Sequence, residues 1–341
     1  MRKWAAEGRN FALARVVSTW GSAPRRVGSA MAVTAETDMV GSVSGGCIEG
    51  SVIEETRSVL QTGRPRLLEY GVDDETAWSV GLSCGGTVKV LVTPFPSIAD
   101  GSAEPDMGQA ILSRLESHRP FVLLSGTTGP RSTHLLVEAD GSFVGHWPGK
   151  IDMAIEAARS RYRSRTSELM ELEGQSVFVH VIPPKDRLLV LGATDIATHL
   201  VRLAAAVGIE SVVVDPREVF ARVERFDPVP ERLVVGWPQE VLADLAPDEG
   251  TYAVLLTHDP KIDDPALQLL LKSPVPYIGA LGSRRTHARR VERLIAAGLD
   301  RSAVDRIRGP VGLDIGAATP AEIALSILSE IVAVKNAAGS N

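Results

Sequence analysis

From residue 187 onward, short apolar runs alternate with helical segments: "RLLVLG", "SVVVDPR", "RLVVG", "YAVLLTHD" and "YIGALGS" are spaced by stretches such as "DIATHLVRLAAAVG". Runs of this length are too short for helices, and their continuous Val/Leu/Ile character suits strands buried on both faces. Strand–helix alternation implies a parallel sheet with right-handed crossovers, which places ligand-binding groups on the loops after the strand carboxyl ends. The last helix has a legible start in "TPAEIALSILSEIVAV". Thr319 is a natural N-cap, Pro320 suits the first helical position, and Glu322 completes a capping box.

The first half follows a different plan. "FALARVV" reads as a strand, then come the irregular "STWGSAPRRVGS", a second strand "AMAVTA", the turn-rich "ETDMVGSVSGG", and a helix from Ile48 with apolar positions Ile48, Val52, Val59 and Leu60. That helix stops at "QTGRP"; "RLLEYG" and "TVKVLVTP" are further strands, the second alternating at Val88, Val90 and Val92. Residues 121–184 repeat the plan, with "FVLLSGTTGPRSTHLLVEADGSFVGHWPGKIDMAIEAARSRY" matching the first copy and "GQSVFVHVIPP" echoing "GGTVKVLVTP". The fold expected is α/β: an N-terminal α+β domain, residues 1–184, with a degenerate internal repeat (about 11–95 and 120–184), then a Rossmann-like parallel-sheet domain, residues 185–341.

A chain of 341 residues with net charge −6 carries no basic surface for nucleic acid, and no stretch reaches the roughly 18 apolar residues of a membrane span. The charged N-terminus lacks the apolar run of a secretion signal, so the expected compartment is cytoplasmic. There, the two cysteines are expected as reduced thiols, too few for a closed zinc site.

Each cysteine adjoins a Gly-Gly pair. Cys47, in "GSVSGGCIEGSV", lies on a turn leading into a helix, where free N–H donors and the helix dipole favour thiolate and make a nucleophile or soft-metal ligand. Cys84, in "GLSCGGTVKV", precedes a strand and reads as a ligand, resolving thiol or pocket wall. Arg25 and Arg26 in "GSAPRRVGS" suit a phosphate clamp, with surface solvation as the alternative. "VLGATDIATHL" opens a helix after a strand, with Asp215 at ribose-binding distance, but of the dinucleotide fingerprint it keeps only Gly192 and Ala197. Thr194 replaces the glycine that lets pyrophosphate touch the backbone and Asp195 would repel phosphate, so NAD(P) is not expected. His258 and Asp259 end one strand, Ser283, Arg284 and Arg285 the next, with His287 beyond, and Gly312, Asp314 and Gly316 occupy a third loop; all are expected on one rim.

Together "GSAPRRVGSAMAV", "GSVSGGCIEGSV", "CGGTVKVLV", "VVVDPR", "THDPKIDDPAL", "YIGALGSRRTHARR" and "GLDIGAATPAEIALSI" resemble the XdhC/CoxI family, accessory proteins of molybdenum hydroxylases of the xanthine dehydrogenase and carbon monoxide dehydrogenase type. The resemblance implies a maturation chaperone, not a catalyst. Such a chaperone holds molybdenum cofactor (molybdopterin, as such or as a dinucleotide), assists its sulfuration and delivers it to an apo-molybdenum hydroxylase. A cysteine desulfurase and a second copy of the chain are further partners it suggests. Carried onto this sequence, Cys47 and Cys84 would be the molybdenum-proximal thiols; Gly45, Gly46, Glu49, Arg25, Gly85, Gly86, His258, Asp259, Ser283 and Arg284 would line the rest. Where the family has Gly-Ala-Gly-His, this chain has Gly192-Ala193-Thr194-Asp195. The alternative from the residues themselves is an NAD(P)-dependent oxidoreductase with a redox-active thiol pair.

Overall fold

The computed structural model describes residues 1–21, 25–71, 86–96 and 106–337. The chain divides into two compact units, Met1–Pro183 and Pro184–Asn341.

In the first unit, helix α1 (Arg2–Ala6) precedes β1 (Phe11–Trp20), β2 (Ala30–Thr34), β3 (Met39–Gly41), α2 (Glu49–Thr62), β4 (Arg66–Tyr70) and β5 (Thr87–Pro94). After α3 (Met107–Glu116) the pattern returns as β6 (Phe121–Gly126), β7 (His134–Val137), β8 (Phe143–Gly145), α4 (Ile151–Ser164), β9 (Glu168–Leu172) and β10 (Gln175–Ile182). Both sets form antiparallel five-stranded sheets of the same order, β3-β2-β1-β5-β4 and β8-β7-β6-β10-β9. The internal repeat is therefore a repeat of topology. It extends to single residues: Gly41 and Gly145 end matching strands at φ +89° and +108°, and a Cβ there would lie 2.3 Å from the Ala30 carbonyl oxygen and 2.8 Å from that of His134. No side chain fits so close to a neighbouring strand.

Strand alternation sorts each sheet into two faces. Ala12, Ala14, Val16, Val88, Val90 and Val92 pack under α2 through Ile48, Val52 and Val59. Val122, Leu124, Val177 and Val179 pack under α4 through Ala154 and Ala158. The opposite faces meet each other, with Phe11, Leu13, Phe121, Leu123 and Leu136 in one cluster and Val17, Leu91 and Phe178 in another. Each such side chain, fully buried, contributes about 1.5–3 kcal/mol. Gly63, at φ +69°, ends α2 in the left-handed conformation expected of a helix-stopping glycine.

The second unit is a parallel sheet of β11 (Arg187–Leu191), β12 (Glu210–Asp215), β13 (Arg232–Val235), β14 (Thr251–Leu255), β15 (Tyr277–Ala280) and β16 (Ile307–Arg308), ordered β13-β12-β11-β14-β15-β16. Helices α5 (Asp195–Ala206), α6 (Pro238–Leu245), α7 (Pro260–Leu270), α8 (Arg284–Ala296), α9 (Arg301–Val304) and α10 (Pro320–Ala337) connect and cover it, α5 and α10 with one core cluster, α6, α7 and α8 with the other. The order reverses between β11 and β14, the doubly wound arrangement with its ligand crevice at that switch point. The capping box of α10 forms as expected: Glu322 accepts from the Ala318 and Thr319 amides at 2.8 Å, and the Thr319 hydroxyl accepts from the Glu322 amide at 3.3 Å.

Among the described residues, no helix is long and apolar enough to cross a membrane.

Candidate functional site

The turn at residues 42–48 is organised by Glu49. From the first residue of α2, its carboxylate turns back to accept hydrogen bonds from the amides of Val43 (3.2 Å), Ser44 (2.9 Å), Gly45 (3.1 Å) and Gly46 (2.9 Å), and from the hydroxyls of Ser42 (2.8 Å) and Ser44. Burial by itself would raise this carboxyl's pKa, but the hydrogen bonds outweigh it and the value falls to about 2. The Ser44 hydroxyl in turn accepts from the Cys47 and Ile48 amides, both at 3.0 Å.

This corrects the expectation of free donors around the thiol. The amides of residues 43–48 are engaged by the chain's own carboxylate and hydroxyl, because an acidic side chain at the helix start is the nearest anion to a nest of amides. Glu49 thus braces the turn from within, with both carboxylate oxygens bonded inside it.

What the brace leaves open is backbone surface. Gly45 and Gly46 are exposed at φ +86° and +121°, and no described atom lies within 4 Å of a Cβ built on either. Beside them Cys47 is a free, half-buried thiol packed against the Ile48 and Val52 cluster. In the second copy the matching turn is closed. Trp147 is buried there, and Glu173 accepts from the Lys150 amide at 2.7 Å while its carboxylate stands where a Gly149 Cβ would go.

Sheet register brings the other N-terminal candidates to the same end. Met31 pairs with Gly41 and the Ser42 amide donates to the Ala30 carbonyl at 3.1 Å, so the turn starts beside the loop that carries exposed Arg25. Trp20 pairs with Thr87, which puts Gly86 at this end too. Cys84 and Gly85 lie outside the described residues. Tyr70, the last residue of β4, donates to Ser51 on α2 at 3.1 Å. Trp20, 73% exposed, is a rim residue that sequence reading missed; an aromatic at a strand end gives no periodic signal.

In the second unit, several rim candidates prove to be helix caps. Asp259 accepts from the Lys261 amide at 2.9 Å to begin α7, and Ser283 accepts from the Thr286 amide at 3.2 Å to begin α8. His258 is exposed and held at φ +61°, a conformation uncommon for histidine. Arg284 faces a cavity of about 460 Å³ shared with Leu281, Gly282 and the 310–317 loop including Asp314, so two of the three expected loops meet there. The Gly312 amide donates to Glu330 at 2.9 Å, tying that loop to α10. Arg284 and Asp314 put one charge of each sign on this cavity, beside the apolar Leu281, Val311 and Ile323.

Asp215, the expected ribose acid, is fully buried; it accepts from the Ala193 amide and doubly from Arg217, each at 2.8 Å. Burial raises its pKa and the Arg217 and backbone hydrogen bonds more than reverse this, so the carboxyl lies below its ordinary value. Arg217 also stacks over Phe220 at 4.2 Å, and Arg225 bonds the Ala193 carbonyl. Both Asp215 oxygens are therefore committed to the protein. Gly192, at φ +108°, has Thr257 within 2.6 Å of a built Cβ, so it serves strand–loop packing at the switch point. Among the described residues no group of three or more His, Cys, Asp or Glu stands together as metal ligands.

Comparison with known proteins agrees with this architecture. Residues 4–71 match the description "XdhC and CoxI family" and residues 188–331 match "XdhC Rossmann domain". The molybdenum cofactor insertion chaperone PaoD of Escherichia coli is 28% identical over 329 residues, covering 96% of this chain and 84% of its own. A Bacillus subtilis protein named as a probable xanthine dehydrogenase subunit is 27% identical over 331 residues, covering 94% and 92%. A crystal structure described as a xanthine dehydrogenase from Bacillus halodurans superposes with a TM-score of 0.71 at 24% identity, over 98% of this chain and 94% of that one, which shows the shared fold. Matched in both of its units, the chain belongs to the XdhC and CoxI family.

Proposed function

We propose that the protein is a carrier in molybdenum-cofactor maturation, one that holds the cofactor and hands it to an apo-molybdenum hydroxylase. The reading is supported by what the named relatives are called, a cofactor insertion chaperone and a component of xanthine dehydrogenase. The observation that carries it is the braced, open Gly45-Gly46-Cys47 turn, which exists in only one of the two repeat copies.

The cargo is a dithiolene-bound metal on a phosphate-bearing pterin. Its soft end suits a thiolate sulfur, and Cys47 on a glycine-opened turn lets a bulky group approach the main chain. Cys47 would hold the metal through its sulfur as thiolate. The cargo's phosphate end is assigned to guanidinium groups, first Arg25 at the same sheet end, because Glu49 already fills the amide nest. Cys84, with its own Gly-Gly neighbours in sequence, is assigned as a second thiol. Trp20, exposed at the same sheet end, is assigned to cover the planar ring. Holding rather than transforming the cargo fits a turn whose strongly perturbed carboxylate, Glu49, is engaged by the turn itself. Sulfuration assisted by a cysteine desulfurase, and docking of two copies, belong to the same proposal.

Purification from cells that make the cofactor, followed by oxidation of bound molybdopterin to its fluorescent form, measures loading. Wild type retains cofactor and Cys47→Ala loses most of it. Equal retention by the two proteins overturns the assignment.

A further inference from the structure

Between the two sheets of the first unit, a polar layer interrupts an otherwise apolar interface. On the face of β1 that meets the second sheet, Phe11, Leu13 and Val17 are apolar, and Arg15 stands among them at 1% exposure. Its Nη2 donates to Thr93 at 3.2 Å, while Nε and Nη1 are buried with no hydrogen-bond partner among the described residues. The second sheet answers with Ser125, at the repeat position matching Arg15, together with His134 and His180. Ser125 and the Nδ1 of His134 lie 2.9 Å apart, and His134 Nε2 is buried, with the Pro94 carbonyl beside the ring as a hydrogen-bond acceptor. His180 Nε2 lies beside Gly28 and Ser167, and the ring stacks on Phe178 at 5.3 Å.

The charge count of this layer does not balance. Among the described residues Arg15 makes no ion pair, and the nearest compensation is the Phe178 ring, 5.6 Å from the guanidinium carbon. A cation–π contact of that kind is worth about 1–2 kcal/mol, whereas an uncompensated buried ion costs several. Burial lowers the guanidinium pKa only to about 10, so it remains charged at neutral pH. Burial first, and the Arg15 charge second, hold both histidines down at about 3, so they are neutral and add no positive charge.

We propose that the unpartnered edge of the buried Arg15 guanidinium, in the layer that also holds His134 and His180, binds a small monovalent anion of the halide class, which completes the layer between the two sheets. A single negative charge neutralises a single guanidinium. Nε–H and Nη1–H lie on different edges of the guanidinium, so each is a separate unfilled donor and a small anion takes one of them. A divalent oxyanion would leave one negative charge uncompensated beside this single guanidinium, whereas Thr93, which accepts from Arg15, keeps its own O–H as a further donor to a monovalent ion. The site is independent of the Cys47 turn: Ala12, Ala14 and Val16, on the opposite face of β1, pack with the turn and α2.

Crystals of the full chain grown or soaked in bromide test this directly. An anomalous peak within hydrogen-bond reach of Arg15 Nε or Nη1 supports the proposal; water density with no anomalous signal overturns it. In solution, replacing gluconate by chloride at fixed ionic strength raises the wild-type melting temperature by about 5–10 °C for each hundredfold rise in chloride above half-saturation. Arg15→Met loses that response. A response retained in Arg15→Met, or absent from wild type, overturns the site, and the wild-type measurements decide the matter if the variant fails to fold.

Discussion

Replacing Glu49 by glutamine keeps the side chain's shape and removes the charge that the 42–48 turn is built around. The carboxyl's pKa of about 2, against its ordinary 4.5, is a difference of 2.5 units. At about 1.36 kcal/mol per unit this gives an upper figure of about 3 kcal/mol at neutral pH. Screening by the solvent over the exposed Gly45 and Gly46 beside the carboxylate reduces the expectation to about 2–3 kcal/mol. For a unit of this size that corresponds to a melting temperature lower by about 5–10 °C at pH 7. The pKa is depressed on folding, so this stability is fully present above pH 4.5 and is lost as pH falls toward 2. The gap between wild type and Glu49→Gln therefore narrows below pH 4.5. Urea unfolding at pH 7 and pH 3.5 measures the gap, and amide exchange at Val43, Ser44, Gly45 and Gly46 locates it. Melting within about 1 °C of wild type at pH 7, or a gap that does not narrow at pH 3.5, would refute the claim that the carboxylate holds the turn open.

Three further outcomes are expected. His134 and His180, at about 3 in the fold against 6.5 unfolded, leave stability flat above pH 6.5 and lower it as pH falls toward 3, by about 2 kcal/mol per ring at pH 5; chemical denaturation in halide-free buffer measures the slope, and His180→Gln should reduce it. Gly46→Ala meets no described atom but holds a positive φ of +121°, so it should cost about 1 kcal/mol or more through backbone strain, read as a shift in urea midpoint at unchanged m-value. Asp263→Ala removes the partner of buried Arg290, 3.5 Å away and bonded to the Leu281 carbonyl at 2.9 Å; a loss of about 3–5 kcal/mol in the second unit is expected, and Asp263→Ala with Arg290→Met together should recover much of it.

Local pattern was enough to define both folds. Period-two alternation in "TVKVLVTP" put Val88, Val90 and Val92 on one buried face, continuous apolar runs marked the parallel strands, and the Thr319–Glu322 pair marked a helix start that forms with the expected bonds. These features depend on neighbours in the chain, so the chain alone displays them. The topological repeat was legible for the same reason. The roles of the polar groups were not. Glu49 read as a residue lining the cofactor site until the turn folded its amides onto the carboxylate, and Asp215 looked available to a ribose until Arg217 and Ala193 were brought to it. Asp259 and Ser283 turned out to be caps. Arg15 is a single basic letter in an apolar strand, and only the packing of one sheet against its copy encloses it with two histidines more than a hundred residues away. A polar side chain's function depends on which donors and acceptors surround it in three dimensions, and that environment is created by long-range packing which no local spacing encodes.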